Sequence, residues 1–175
     1  MKMRHRLGIR GVCAGTGVLL LAGLLGGCKA VSVGIDPTLA DASTEVHLVG
    51  INASEYEQWH DMSMDDYWKP TCELREQAVR QGYAHVIRFG SGHPSKVTVG
   101  EYDYRALYGK WQARNARDLF ILASLTGKFP RGVGNIDGRR KIHPLGPWPA
   151  GEVLKCVIGQ GGIVIQNPAA EPRKP

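Results

Sequence analysis

The sequence predicts a mainly β protein, an antiparallel, immunoglobulin-like β-sandwich with short helical inserts. Three observations lead to this fold class. Short runs in which apolar and polar residues alternate recur after residue 28, with turn residues between them. A block with helical spacing, at about residues 53–81, interrupts these runs after the second one. Near the end of the chain, Gly159-Gln160-Gly161-Gly162 separates two apolar runs, which predicts a hairpin.

Before the first strand lies a segment typical of a secretory signal. Residues 1–10 carry four basic side chains and no acid, and an apolar run of about 15 residues follows. A membrane-spanning helix needs roughly 20 residues. The run ends in Leu25-Gly26-Gly27-Cys28, which resembles the lipobox of bacterial lipoproteins. This resemblance implies that residues 1–27 are a removable signal peptide, that Cys28 carries the lipid and that the mature domain spans residues 28–166. We expect a disordered tail at 167–175.

Composition narrows the compartment and the partners. The residue after the lipobox cysteine is Lys29 and not an aspartate, a choice that resembles lipoproteins of the outer membrane. We therefore expect a lipid-anchored protein of the cell envelope, at the outer membrane and facing the periplasm. The net charge is +6, but four of the 22 basic residues lie in the signal, which leaves 18 basic and 16 acidic residues. Because no basic stripe is interleaved with aromatic residues, we expect no nucleic-acid binding.

Two cysteines remain once the signal and Cys28 are set aside. Cys72 and Cys156 are an even pair in an oxidising compartment, which predicts a disulfide between them. The alternative is two free, buried thiols. No C-x-x-C or H-x-x-x-H spacing occurs, so we expect no metal site.

The elements follow one another along the mature chain. Strands are predicted at 29–35, 45–51, 83–89, 96–100, 118–125, 140–145, 153–158 and 163–166. Within the helical block, Ser54 with Glu57 and Ser63 with Asp66 are typical of helix starts. A further short helix at 72–81 is expected to end at Gly82. A weaker helix is predicted at 104–114, and residues 126–139, with four glycines, are expected to form a long loop.

This order of elements resembles the TssJ family, the outer-membrane lipoproteins of type VI secretion systems. The stretches that match are the strand directly after the cysteine, Ile35-Asp36-Pro37, Val46–Ile51, Ser63–Trp68, Leu119–Leu125 and Arg139-Arg140. The resemblance implies a transthyretin-like sandwich that holds an inner-membrane protein of the secretion system against the outer membrane. It also implies that the partner contacts the loop between the first two strands, here Asp36-Pro37-Thr38-Leu39. The short loop at 36–44, the long loop at 126–139 and the cysteine pair depart from the family.

No catalytic pattern is evident in the mature chain. Its five histidines lie on separate elements and G-x-S-x-G is absent, so we expect neither an enzyme nor a cofactor. Three aspartates lie beside Trp59 and Trp68 in the helical block. The alternative function is therefore a tethered lipoprotein, unrelated to secretion, that binds a ligand through these two tryptophans. Their other interpretation is packing against the sheet.

Overall fold

The protein folds as a β-sandwich with a helical layer on one side. The structure is a computed structural model that describes residues 30–145 and 153–167, without the side chains of residues 101–105. Eight strands form two four-stranded sheets: β1 (Ala30–Ile35), β2 (Thr44–Asn52), β3 (Ala84–Phe89), β4 (Lys96–Val99), β5 (Ala116–Ala123), β6 (Arg140–Pro144), β7 (Val153–Gly159) and β8 (Gly162–Ile165). The predicted fold class is confirmed. The predicted signal peptide, Cys28 and residues 168–175 of the tail lie outside the described residues.

One sheet, the β1 sheet, has the strand order β4-β1-β7-β8. Its alternating pattern buries Val31, Val33 and Ile35 of β1 together with Leu154 and Ile158 of β7. β1 pairs with β4 in the antiparallel sense but with β7 in the parallel sense, the register placing Ile35 opposite Ile158. The sandwich is thus antiparallel in all but this one pairing. The predicted hairpin of β7 and β8 is confirmed.

The other sheet, the β2 sheet, has the order β3-β2-β5-β6 and only antiparallel pairs. Both of its central strands, β2 and β5, are buried on both faces. Since successive side chains of a strand point to opposite faces, one face packs on the β1 sheet and the other must be covered by something else. That cover is the helical block.

The helices lie where the spacing predicted them, with one correction at a helix start. They are α1 (Tyr56–Asp61), α2 (Met64–Tyr67), α3 (Glu73–Arg80) and α4 (Glu101–Ala113). The Ser63 hydroxyl accepts a bond from the backbone N–H of Asp66 at 3.0 Å, so this N-cap is confirmed. Ser54 does not cap α1, because its hydroxyl donates to Asn52 Oδ1 instead. Among the described residues, none of the helices has the length and hydropathy needed to cross a membrane.

The predicted disulfide between Cys72 and Cys156 is wrong, since the structure has both as free, buried thiols. Cys72 begins α3 and lies in the helical layer near Tyr67. Cys156 is on β7 in register with Val33, and so faces the space between the sheets. The β2 sheet stands between them, whereas a disulfide needs Cα atoms within about 7 Å. Burial raises the pKa of the Cys156 thiol to about 12, so it stays protonated.

Candidate functional site

The turn predicted to bind a partner lies at one end of the sandwich. Pro37–Leu39 forms a single 3-10 turn after β1. The Asp36 carboxylate accepts bonds from the Thr38 backbone N–H at 2.9 Å and from the Thr38 hydroxyl at 2.6 Å. These bonds hold the pKa of Asp36 below its ordinary value. The turn is therefore a fixed shape on the surface, with Leu39 partly packed on the core.

Topology places this turn at the end of the sandwich opposite the start of β1, here called the far end. Because β7 runs parallel to β1, its final residue Gly159 reaches the same end, and the Asp36 N–H donates to the Ile158 carbonyl at 2.8 Å. The Gly159–Gly162 turn in turn contacts Gly138, whose carbonyl accepts from Ile163 N–H at 2.8 Å. Three separate segments thus meet at the far end: the first loop, the β7–β8 turn and the β5–β6 loop (residues 124–139).

The long β5–β6 loop is ordered by an arginine that the sequence did not single out for this role. Arg140 is fully buried, and its guanidinium donates to four backbone carbonyls. Two belong to the loop, Gly134 at 2.6 Å and Gly132 at 3.3 Å. The other two belong to the helical layer, Trp59 at 3.1 Å and Met62 at 2.7 Å. One side chain therefore fastens the loop to α1 and to its C-cap residue, Met62.

A second set of charges supports the same loop. Arg139 donates to both carboxylate oxygens of Asp137 and, at 2.7 Å, to Asp65 of α2. Burial opposes ionisation of Asp137, but its bonds from Arg139 hold its pKa below the ordinary value. Asp65 is one of the three aspartates that lie beside Trp59 and Trp68 in the sequence. The structure pairs it with Arg139, beside a cleft of about 350 Å³ lined also by Arg131 and Gly132.

The two tryptophans proposed for ligand binding occupy different environments. Trp59 is 1% exposed and packs between Tyr67 and Phe120, so its ring offers no face to a ligand. Trp68 is partly exposed and lines a cleft of about 430 Å³ with Asp65, Arg139 and Leu125. Its buried indole Nε1 has no hydrogen-bond partner within the part of the chain that the structure describes. Only Trp68 therefore remains a candidate for ligand contact.

A buried histidine joins β2 to α2. His47 Nδ1 lies 2.6 Å from the Tyr67 hydroxyl, and Nε2 lies 2.7 Å from Glu45 Oε1. Burial lowers the pKa of His47, and the attraction of Glu45 does not fully offset it. Burial would raise the pKa of Glu45, but the contacts with His47 and Arg88 leave it lowered. The consistent assignment is a neutral imidazole that donates from Nε2 to a carboxylate and accepts from the Tyr67 hydroxyl.

The cleft beside this histidine, about 470 Å³ in volume, is lined by charges of both signs, among them Glu45, Glu76, Arg75 and Arg88. Arg88 already bonds Glu45 at 3.0 Å. Both ring nitrogens of His47 are likewise engaged, and its ring is nearly inaccessible. The convergence of a histidine and a carboxylate here is thus a structural connection between strand and helix.

One group of potential metal ligands escaped the sequence analysis. Glu57, His60 and Asp61 lie on α1 with ligand atoms within 4.8 Å of one another, the one such group among the described residues. The sequence feature that could have indicated this group is the i, i+3, i+4 spacing of its three residues, which places them on one turn of a helix. His60 Nδ1 already pairs with Asp61 at 2.8 Å. Because exposed groups of this kind are common without a metal, we assign no metal to it.

Comparison with known proteins gives a likeness in structure but none in sequence. No family model matches the chain, and no curated protein matches it. Among solved structures, the chain is similar to Serratia marcescens Lip, a membrane-bound component of the type VI secretion system, with 13% sequence identity and a TM-score of 0.44. The similarity covers 79% of this chain and 96% of that chain.

Proposed function

We propose that this protein is a lipid-anchored, non-catalytic scaffold of the cell envelope that binds a partner at the far end of its sandwich. The observation that carries the proposal is the position of the lipobox. Cys28 precedes Ala30, the first residue of β1, by two positions. Two residues span at most about 7 Å, so a lipid on Cys28 would hold the start of β1 at the membrane surface.

This tether gives the sandwich an orientation. With the start of β1 at the membrane, the far end, with Asp36–Leu39, points away from it. A partner that reaches across from another membrane would meet this end first. The fixed 3-10 turn and the ordered β5–β6 loop both favour binding, because a preformed surface loses little conformational entropy when it is covered.

The finer proposal is that the protein anchors a type VI secretion apparatus at the outer membrane. It is supported by the sequence resemblance to that lipoprotein family, and the fold that this resemblance implies, a sandwich with a helical insert, agrees with the architecture described above. In this role Asp36, Pro37, Thr38 and Leu39 would contact the periplasmic part of an inner-membrane protein.

Two linked experiments test the anchor and the contact. Cys28→Ser should release the protein from the membrane fraction, whereas Cys13→Ser, within the signal, should leave it membrane-bound with an acylated Cys28 by mass spectrometry. A photo-cross-linker at Leu39 should then capture an inner-membrane protein from native envelopes. A membrane-bound Cys28→Ser protein would contradict the anchor, and absence of any cross-linked partner at the far end would contradict the scaffold.

A second candidate is a tethered ligand-binding protein, favoured by the partly exposed Trp68 that lines a cleft of about 430 Å³. In that case small polar ligands should protect Trp68, but not the enclosed Trp59, from chemical modification of tryptophan. Ligand protection in the absence of any cross-linked protein partner would favour this candidate over the scaffold.

A further inference from the structure

The β5–β6 loop carries the most exposed aliphatic side chain in the far end of the molecule. Ile136 is 61% exposed and Val133 is 44% exposed. The two are joined in a tight turn in which Ile136 N–H donates to the Val133 carbonyl at 3.2 Å. The glycine of this turn faces inward: Gly134 lies against His60, and its N–H donates to the His60 carbonyl at 3.0 Å. The two aliphatic side chains therefore stand outward.

The β5–β6 loop is long, yet hydrogen bonds hold it in one conformation, which is unusual for a loop that only connects two strands. It has sixteen residues, four of them glycine, and a loop longer than about 12–15 residues without secondary structure commonly has a function. The buried guanidinium of Arg140 takes up two of its carbonyls. Burying that charge with carbonyl partners alone is a costly way to order a loop. The cost is understandable if the outward residues must be held in one position.

The charges around these side chains identify the chemistry of what would cover them. The two exposed charged residues of the loop are both basic, Lys128 and Arg131, and the side chain of Arg131 is 91% exposed. The acid of the loop, Asp137, is buried against Arg139. The Ile136 side chain packs over Gly132, which places it next to Arg131 in the chain. Arg131 Nε lies 3.7 Å from Asp65 Oδ2, and an exposed pair of this kind contributes little in water. An apolar side chain beside this largely exposed cation fits a segment that carries both an apolar group and a carboxylate.

We infer that the β5–β6 loop is a second partner-docking surface, in which Val133 and Ile136 receive an apolar side chain and Arg131 pairs with a carboxylate of the same protein segment. This inference rests on the proposed function and extends it. The loop is continuous with Asp36–Leu39 through the Gly159–Gly162 turn. One protein partner approaching from the side away from the lipid would therefore cover both surfaces together.

The test uses the full-length lipidated chain in its own envelope. A photo-cross-linker is placed at Ile136, at Leu39 and, as a matched control, at Val164 of β8, which is 59% exposed and lies outside the far-end loops. We expect the Ile136 position to cross-link to the same inner-membrane protein as the Leu39 position, through a peptide that holds apolar and acidic residues. Val164 should give no such product.

Variants then measure the contribution of each contact. Ile136→Asp and Arg131→Glu should each weaken partner binding by about ten-fold or more, since each places a carboxylate against an acidic, apolar surface. Val164→Asp should leave binding within two-fold, about the scatter expected for a surface change outside the proposed contacts. Unchanged thermal unfolding of all three variants would establish that folding is intact.

The outcomes separate this inference from the function on which it rests. Cross-linking at Leu39 without cross-linking at Ile136, or wild-type affinity in Ile136→Asp and Arg131→Glu, would overturn the docking surface and leave the scaffold standing. Absence of a partner at both positions would overturn both. A product that joins Ile136 to lipid, to a second copy of this chain or to a peptide without acids would also overturn the inference.

Discussion

The β2 sheet is buried on both faces, and the two faces are stabilised by different kinds of contact. The face toward the β1 sheet is apolar, with Val46, Leu48, Leu119 and Ile121 all fully enclosed. The face toward the helices holds Phe120 but also His47 and Arg140, whose polar atoms are satisfied by Tyr67, Glu45 and backbone carbonyls. Apolar contacts are non-directional, whereas hydrogen bonds of buried groups require particular partners in particular places. We therefore expect the apolar face to stabilise the sandwich and the polar face to fix the positions of the helices and the β5–β6 loop.

Among the substitutions that test this difference between the two faces, Arg140→Ala should lower the free energy of unfolding most. The change leaves four carbonyls without their donor and opens a cavity, so the free energy of unfolding should fall by about 3–5 kcal/mol. Urea denaturation of the protein without its signal measures this value. Arg131→Ala, at an exposed site in the same loop, should stay within about 0.5 kcal/mol of the original protein. Hydrogen exchange should rise in the β5–β6 loop and at α1, and a uniform rise over both sheets would contradict the proposed role of Arg140.

Gly50→Ala tests the packing of the apolar face. The added Cβ would overlap the ring of Trp111, which is fully buried and donates from Nε1 to the Tyr83 carbonyl at 2.7 Å. Because the ring is enclosed and its Nε1 is bonded to Tyr83, we expect a loss of about 1–3 kcal/mol from overpacking. Gly109→Ala, in open space on α4, is the matched control and should be neutral or stabilising. Equal stabilities of the two variants would show that Trp111 can move aside.

Two serines with the same sequence signature sharpen the contrast within the helical layer. Ser63 accepts the N–H of Asp66 and Ser54 caps nothing. Ser63→Ala should therefore lower the free energy of unfolding by about 1 kcal/mol. Ser54→Ala loses a surface bond to Asn52 and should cost less than about 0.5 kcal/mol. Thermal unfolding of the two variants shows which one is less stable. A larger loss of stability for Ser54→Ala would contradict the assignment of Ser63 as the helix cap.

The smallest expected effect is a pH dependence of the free energy of unfolding that arises from His47, on the face of the β2 sheet toward the helices. Because the pKa of His47 is lower in the folded protein than the ordinary 6.5, the unfolded chain binds more protons in this range. The stability due to neutral His47 is present above about pH 6.5 and is lost as the pH falls through the lower folded pKa. His143, whose pKa burial also lowers, acts in the same direction. His47→Gln should flatten, without abolishing, the decline in unfolding free energy between pH 7.5 and about pH 5. A slope equal to that of the original protein would contradict this source.

The sequence predicted the strands and helices well because their signals are local. Alternation in Val31–Ile35 and the glycines at 159–162 depend on residues a few positions apart, and so does the Ser63 cap. The parallel pairing of β1 with β7 joins residues more than a hundred positions apart, and nothing in either strand encodes its direction. The disulfide prediction was wrong for the same reason, since cysteine count and compartment say nothing about the sheet that separates Cys72 from Cys156.

In the candidate functional site, too, local features could be predicted from the sequence and contacts between distant residues could not. The Asp36–Leu39 turn was predicted as a partner contact from its resemblance to a family loop. Its fixed shape comes from neighbouring residues, the Asp36 side-chain bonds to Thr38 and the ring of Pro37. The role of Arg140 could not be predicted, because a basic residue at the start of a strand is ordinarily exposed. Its burial depends on four backbone carbonyls, two of which belong to Trp59 and Met62, about eighty positions earlier in the chain. Trp59 and Trp68 were indistinguishable in sequence, and only packing against Phe120 encloses one of them.

The two-sided pairing of β1 has a mechanical consequence for an anchored scaffold. If the lipid holds one end of β1 and a partner pulls at the turn that follows the other end, tension runs along this single strand. β4 and β7 bind β1 on both edges along most of its length, so the pull shears many hydrogen bonds at once. A strand at the edge of the sheet would have hydrogen bonds on one side only to resist the pull, and a strand loaded across its ladder would release its bonds one after another. In the proposed role, tension between membrane and partner would therefore pass through a strand that resists being drawn out of its sheet.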